Sequence, residues 1–433
     1  MLTEDYKVAR LTEFTYTVTV VSSGGNKYAI NGNTQQYVIL FPGSTYKFDQ
    51  ADSSNNGHPL RFSETSNGTH NSGSEYTTGV TTAGTPGSSG AYTQIEVTGN
   101  TPIYLYYYCT NHSGMGGGIN ILSSVANSRK GLIMGGSVGS APGPATDTVM
   151  SIIISTFGNC ADFADLAGGS VHRNASSVSN SFRALCQGGS GTAPGFTRTN
   201  IVDQCFFASS GTSTDYGDLT SARGGTAGVS NSTRGLCAGG NTPSASNVID
   251  YVSLDSQGNY TDFGDLLNSA QYASGNLNTP TRGIFFGTNN PSIENVIQYV
   301  TIASTGNSTD FGDMTTVRQF CGGVTSSTRG VMSGGNSQPT TPSNVIDYIT
   351  MASTGNATDF GDHATLLNDS GICGLTDTTR GLFTGICAPS DGARSTIIDH
   401  ITISATGNTV DFGDLTVATN FAGGASSNHG GLQ

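Results

Sequence analysis

A motif close to T-D-F-G-D-L recurs six times in roughly the last three hundred residues and restricts the fold more than any other feature. Its copies are ADFADL at Asp162, TDYGDL at Asp215, TDFGDL at Asp262, TDFGDM at Asp310, TDFGDH at Asp359 and VDFGDL at Asp411, spaced by 53, 47, 48, 49 and 52 residues. A second motif, S-T-R-G followed by apolar residues and a glycine pair, keeps the same beat. It places a basic residue at Lys130, Arg183, Arg234, Arg282, Arg329 and Arg380, with a degenerate seventh copy at His429. Between the two lies NVIDYVSL (Asn247 to Leu254), matched by NVIQYVTI, NVIDYITM and TIIDHITI. A fixed period of this kind means one supersecondary unit stacked several times, because a single unit cannot bury its own apolar face.

Each unit reads as four short strands. In one copy these are QFCGGVTSS, RGVMSGG, NVIDYITM and ATDFGD, and a T-G-N turn in three copies joins the last two. Four strands in about 50 residues is the beat of a propeller blade. The layout resembles the kelch repeat: a basic residue, an apolar strand ending in Gly-Gly, an aromatic-containing strand and a closing strand. The chain departs from kelch in having no Trp, and the Phe of D-F-G-D is expected to take its packing place. The first unit begins at SRKGLIMGG without a first strand of its own, whereas the last continues into TVATNFAGGASSNHGG, a first strand and little more. Joining the two predicts a six-bladed kelch-like β-propeller over residues 124–433, closed by the C-terminal strand so that no edge stays open.

The repeated side chains read mostly as architecture. Asp162, Asp215, Asp262, Asp310, Asp359 and Asp411 are expected to cap turns around a Phe that packs between blades, with six calcium sites as the alternative. Arg183, Arg234, Arg282, Arg329 and Arg380 are expected to form a ring of Arg–Asp contacts, with a ligand-binding ring at the pore mouth as the alternative. A kinase-like D-F-G is excluded, because no glycine-rich or catalytic loop accompanies six such copies.

Before the repeats the pattern changes. EFTYTVTVV alternates and reads as an edge or half-buried strand. NTQQYVILFPGSTYKFDQ gives two strands around a Pro-Gly turn, and AYTQIEVTGNTPIYLYYYC gives a pair running into Cys109. Short strands with turn signals between them predict a β-sandwich over residues 12–123, after an extension of residues 1–11. Cys109, His112 and Met115 form a C-x₂-H-x₂-M loop at a strand end, and His58 lies 51 residues earlier at another. Two imidazoles, a thiolate and a weak thioether are the ligand set of a mononuclear type 1 copper centre. The segment resembles the cupredoxin family, the plastocyanin- and amicyanin-like copper proteins, and CTNHSGM has a short spacing like that of amicyanin. The resemblance implies copper held by His58, Cys109, His112 and Met115. His70 has no partner at ligand spacing and reads as a solvated loop residue.

Composition narrows the function classes. Only 11% of residues are charged and the net charge is −13, against the basic face that nucleic-acid binding requires. No apolar run reaches the roughly 18 residues of a membrane span, and the first residues show no secretory signal. Cys186, Cys237, Cys321, Cys373 and Cys387 sit in apolar, Gly-flanked stretches and are expected to be buried thiols. Nitrous-oxide reductases also join a cupredoxin domain to a propeller, but their two-copper loop needs two cysteines and only Cys109 is present. Galactose-oxidase-like sites need a Tyr/Cys/His cluster that is not apparent, so no enzyme is expected. The repeat, and GHPLRFS…YYYCTNHSGMGG before it, look like segments of structural proteins of marine cyanobacterial phages. That resemblance implies a virion fibre, appendage or capsid-surface protein. It would be multi-copy or homo-oligomeric and would contact other virion proteins and a host receptor. The alternatives are a secreted or periplasmic copper electron-transfer protein that docks a partner on its propeller and, third, a carbohydrate-binding propeller of bacterial origin.

Overall fold

The computed structural model describes residues 12–40, 44–98, 101–102, 104–121, 129–139, 143–167, 172–192, 195–289, 292–338, 341–364, 371–385 and 394–432. The extension of residues 1–11, the Pro42–Gly43 turn and Cys387 lie outside them. The protein is all-β, with 54% strand and 3% helix, and its sheets are all open. Among the described residues no helix is long and apolar enough to cross a membrane. The chain divides into two compact units, Met1–Asn127 and Ser128–Gln433.

Among the described residues the front unit has ten strands: β1 (Thr12–Ser22), β2 (Asn26–Ile30), β3 (Asn33–Thr34), β4 (Val38–Leu40), β5 (Ser44–Asp49), β6 (Leu60–Ser63), β7 (Val80–Ala83), β8 (Tyr92–Val97), β9 (Tyr104–Cys109) and β10 (Gly117–Ile121). They form two sheets, ordered β3-β2-β1-β5-β8-β7 and β4-β10-β9-β6. β1 is the half-buried strand expected, and it is internal rather than at an edge, pairing antiparallel with β2 and parallel with β5. The two strands expected before Cys109 are β8 and β9, of which β8 joins the first sheet and β9, ending at Cys109, the second. Inward residues of both sheets, among them Val18, Tyr28, Phe48, Phe62, Ile95 and Leu105, fill one core. Phe48 and Phe62 meet edge to face across the two sheets, 5.3 Å between centroids. Side chains of this size each contribute about 1.5–3 kcal/mol when fully buried.

Among the described residues the repeat unit contains six sheets that share a core of four antiparallel strands, with two small two-stranded sheets beside them. One is Gly322–Thr325, Arg329–Ser333, Val345–Thr350 and Thr358–Asp362, within a few residues of the sequence expectation. The sixth sheet takes Lys130–Met134, Thr148–Ile153 and Ala161–Asp165 from the start of the unit and Gly423–Ser426 from the end of the chain. Gly131 pairs with Ser426 and Met134 with Gly423, the pairing the sequence predicts. The first strands follow one another in a circuit: Ser176–Ser179, Gly224–Ser230, Ser274–Asn278, Gly322–Thr325, Cys373–Thr376, Gly423–Ser426, and back to Ser176–Ser179. They approach closely because glycine occupies the contact. A Cβ at Gly275, Gly323 or Gly374 would come within 2.4, 2.1 or 2.0 Å of the preceding sheet's carbonyl oxygen.

D-F-G-D is not a capped turn but the fourth strand itself. Between Ile297 and Gln298 the register shifts, so that Phe311 is the extra residue of a β-bulge. The first Asp is exposed in all six copies. The second gives its backbone N–H to an Asn of the neighbouring sheet's turn: Asp313 to Asn356 Oδ1 at 3.1 Å, Asp362 to Asn408 and Asp414 to Asn159 at 3.0 Å. The bulge glycine is needed there, since Gly312 (φ +148°) lies under the carbonyl of Gly355. The Phe expectation holds: Phe263, Phe311, Phe360 and Phe412 are buried. Tyr251, Tyr299 and Tyr348 meet the first three edge to face, and His400 does the same for Phe412.

The repeated basic residues do not form the expected ring of Arg–Asp contacts. Arg234 donates to the carbonyl of Ile302, Arg282 to Met351, Arg329 to Ile403 and Arg380 to Ile154, at 2.8–3.0 Å, and each acceptor lies in the next sheet. Lys130 reaches Phe207 in the same way at 2.7 Å. Three of these guanidiniums lie over the sheet's own tyrosine, with Arg329 4.3 Å from the Tyr348 centroid. Arg183 departs from the pattern and is packed among Phe182, Phe206 and Tyr216. A carbonyl serves where a carboxylate was expected because a strand end always offers one, whatever its side chain.

His429 closes one end of the circuit. It is buried, its Nε2 donates to the Ser179 carbonyl at 3.0 Å beside Ser230 Oγ at 3.4 Å, and its Nδ1 accepts from the Gly431 N–H at 3.1 Å. A second ring proton would face that N–H, and burial holds the imidazole down at about 4. In the unfolded chain it titrates near 6.5. Its contribution is therefore complete above about pH 6.5 and lost as pH falls through about 4, on the order of 3 kcal/mol. Denaturant unfolding at pH 7 and pH 4.5 should show this loss in the native chain and a flatter profile in His429→Gln. Equal slopes in the two would refute it.

Candidate metal centre

The register of β6 against β9 builds the centre. Leu60 pairs with Cys109, and the Thr110 N–H continues the ladder to the Pro59 carbonyl at 3.1 Å, so His58 arrives beside the cysteine. His58 is fixed through its backbone. Its carbonyl accepts from Tyr28 Oη at 2.7 Å and Gln50 Nε2 at 2.8 Å, and its N–H donates to Asn55 at 2.8 Å. The loop after Cys109 is strapped down from outside. Asn67 accepts from the Gly114 N–H at 2.7 Å and donates to Ser113 Oγ at 2.8 Å, while Asn111 donates to the Gly57 carbonyl at 3.0 Å. Gly116 lets the chain turn back into β10, because a Cβ there would lie 1.7 Å from the Tyr107 oxygen.

His58 Nδ1 lies 3.8 Å from Cys109 Sγ and His112 Nδ1 lies 3.6 Å from it on another side. The three ligand atoms all fall within 4.8 Å of one another. Metal–nitrogen and metal–sulfur bonds of about 2.0–2.3 Å, opened by roughly 110–120°, separate N from S by about 3.6–3.8 Å, so the spacing fits one ion. Both imidazoles turn Nδ1 toward the sulfur, and either ring nitrogen can ligate an ion when the imidazole is neutral. Burial, and then the neighbouring His112, push the His58 imidazole down in pKa, which keeps it neutral and able to ligate. Met115 is 1% exposed and packs in the same core cluster as Cys109. His58 and Cys109 are buried, whereas His112 is exposed.

His70 is not idle: its Nε2 lies 2.9 Å from the Cys109 carbonyl and its ring stands edge-on to Tyr108. That contact, and the straps by Asn67, Tyr28 and Gln50, join residues 8 to 47 positions apart with no common spacing, and so leave no spacing signal. The left-handed Asn67 before Gly68 (φ 62°) is the one local cue, since N-G marks a turn.

The repeat residues are distributed, one Asp and one basic residue per sheet, rather than gathered. Among the described residues His58, Cys109 and His112 form the metal-compatible group of His, Cys, Asp and Glu, and none of the six repeat Asp residues joins one. The other described cysteines are free and buried. Burial pushes the thiols of Cys160, Cys205 and Cys373 up to about 12, which leaves them protonated.

A set of buried pairs, each an aspartate beside an arginine or histidine, escaped the sequence reading. Arg318 Nη2 lies 2.5 Å from Asp347 Oδ2 with both side chains fully buried, and Arg223 and Asp250 repeat the arrangement. His172 and Asp203 are 3.2 Å apart, and His363 and Asp399 are 3.3 Å apart, also buried. The aspartate is the D of the I-D-Y strand, and Arg223, Arg318 and His172 each stand six residues before the Val of their first strand. Where that strand carries Gln298 instead of Asp, the corresponding earlier residue is Gln271, whereas in the copy with Asp399 that position holds Asp369 and the aspartate meets His363 instead. No protein-family model matches the chain, and no curated protein matches it either.

Proposed function

We propose that this is a virion surface or appendage protein in which a cupredoxin-like, copper-binding sandwich is joined to a six-bladed, kelch-like propeller. Its work is assembly contact and host-surface attachment, and no reaction is assigned to it. The circuit of first strands, closed by Gly423–Ser426, supports the propeller. The observation that carries the copper assignment is the meeting of His58 Nδ1, Cys109 Sγ and His112 Nδ1 at the separation one ion demands. His58, Cys109 and His112 would hold the ion, with Met115 as a weak fourth ligand. Bound there, copper would supply a one-electron couple and fix β6 to the β9–β10 loop. The low charge and the β-repeats support the particle reading, as does the likeness to cyanophage structural proteins. A second reading, electron transfer to a docked partner, is favoured by the exposure of His112 beside a buried Cys109.

Titrating purified protein with Cu(II) should give one equivalent bound and an intense thiolate-to-copper absorption band. Cys109→Ser should abolish the band and weaken binding by at least about 100-fold, since the thiolate is the strongest ligand. A colourless one-to-one mixture with no copper retained on desalting would overturn the assignment. Immunogold labelling of intact particles tests the setting, and undecorated virions would remove the particle reading.

A further inference from the structure

The first strands of the repeat unit enclose a central space that is blocked at one end by His429 to Leu432. Partway along, Asn276 spans it, with Nδ2 donating to the carbonyls of Gly374 at 3.3 Å and Gly424 at 3.2 Å in sheets across the circuit. The other end opens into a cavity of about 360 Å³, where Arg173, Phe196, Arg198, Tyr272, Phe320 and Phe421 converge. Among the described residues the space is therefore closed at the His429 end and open at the end where these side chains converge.

Its rim is built at a conformational cost. Phe196, Phe320 and Phe421 have φ of +41°, +60° and +56°, and all three line this mouth. Each such residue costs on the order of 1 kcal/mol or more, and strain of this kind collects at ligand clamps. Ring closure does not demand it. Phe320 and Phe421 stand four residues before Val324 and Ala425, and at the same position before Val229 the chain has Gly225, whose φ of +76° is free of strain. An aromatic face has been placed where glycine would serve the backbone better.

The arrangement also selects among ligands. Tyr272 and Phe320 are 4.5 Å apart at 46°, and Phe320 and Phe421 are 5.5 Å apart at 71°. Planes tilted this way form no parallel slot for a flat heteroaromatic ring, but they present faces to the C–H bonds of a puckered one. The Arg173 guanidinium lies 4.9 Å from the Phe196 centroid and 4.8 Å from that of Phe421. Arg198 is oriented by Nε donating to Asn241 Oδ1 at 2.6 Å. Among the described residues no acidic side chain lines the cavity, although the chain carries a net charge of −13. Two guanidiniums in a concave mouth focus positive potential there and suit a carboxylate.

We propose that this mouth binds the end of an acidic saccharide, with a sugar ring on the Tyr272–Phe320–Phe421 faces and its carboxylate at Arg173 and Arg198. The inference gives a ligand class to the attachment reading and rests on that reading only for its biological setting. Calorimetry on the purified full chain tests the site, whereas particle labelling tests the setting, so the two can fail separately. The probes are tetragalacturonate, its methyl ester and neutral maltotetraose. Tetragalacturonate should bind with one site per chain, and esterification should weaken it about tenfold or more, as should Arg198→Gln. Phe320→Gly should weaken it similarly while raising the melting temperature, because the strain is relieved as contact area is lost. Saccharide binding that ignores the carboxylate, binding unchanged in Phe320→Gly, or no binding by any probe would each overturn the proposal.

Discussion

A chain ending at Asp414 is expected to lose the cooperative unfolding transition of the repeat unit and to associate. The deletion removes Thr419–Asn420, which pairs with Ser137–Val138, the closing turn Gly430–Leu432, and the strand Gly423–Ser426, which has two jobs. That strand supplies four register pairs to Lys130–Met134, and it is the neighbour that joins Cys373–Thr376 to Ser176–Ser179. Without it Leu132 and Met134, now fully buried, lose the cover of Ala425, and Leu375 and Cys373 lose the backbone of Gly424 that packs on them. At about 1.5–3 kcal/mol per exposed large side chain, the loss is comparable with the 5–15 kcal/mol that holds a typical domain together. Two unpaired strand edges also appear, and unpaired edges template association. Circular dichroism melts and sedimentation velocity would read this out. A peptide of residues 415–433 added in trans should restore a transition, and a truncated chain melting like the full one would show that closure does not hold the unit together.

How much of this was readable in advance depended on whether a feature is periodic. The four-strand unit, the buried Phe of D-F-G-D and the pairing of the last strand with Lys130–Met134 all follow from a pattern repeated at 47–53 residues, because the same solution is stated six times. The partners of the repeated charges did not follow. Arg329 was expected to meet an Asp and instead meets the Ile403 carbonyl, and a backbone acceptor leaves no trace in composition. The Asp pair of D-F-G-D looked like turn chemistry because Asp and Gly dominate turns. The glycine instead serves a bulge over which a neighbouring turn closes, a contact between units that no single unit reveals.

The metal centre divides in the same way. Cys109, His112 and Met115 were legible because one loop holds them, and His58 because a histidine borders a strand in NNGHPLRF, although it precedes β6 rather than ending a strand. His70, Asn67, Tyr28 and Gln50 fix those ligands through backbone atoms, and any residue able to hydrogen-bond could have done so from elsewhere. The buried ion pairs fell between the two cases. Their aspartates lie inside the repeated I-D-Y strand, and only comparison across copies, Arg with Asp and Gln with Gln, exposes the partner.

Arg318→Met should destabilise the repeat unit by about 3–5 kcal/mol, because it leaves Asp347 charged and buried without its cation. Both side chains are inaccessible, and the guanidinium also satisfies the carbonyls of Gly334 and Val345. Thr315 gives Asp347 two further hydrogen bonds, at 3.2 Å from its N–H and 2.7 Å from its hydroxyl, which soften the loss without supplying charge. Asp347→Leu alone should cost a similar amount, since it strands the arginine. The double variant Arg318→Met/Asp347→Leu should recover at least half of either loss, because apolar groups of like volume replace a buried pair at little cost. Denaturant unfolding of the four chains gives the coupling energy directly. The third sheet, with Gln298 held by the Leu267 N–H and the Ser308 hydroxyl, already folds without the pair. The charges therefore act as a matched set, and single variants that unfold like the native chain would show that they are not matched.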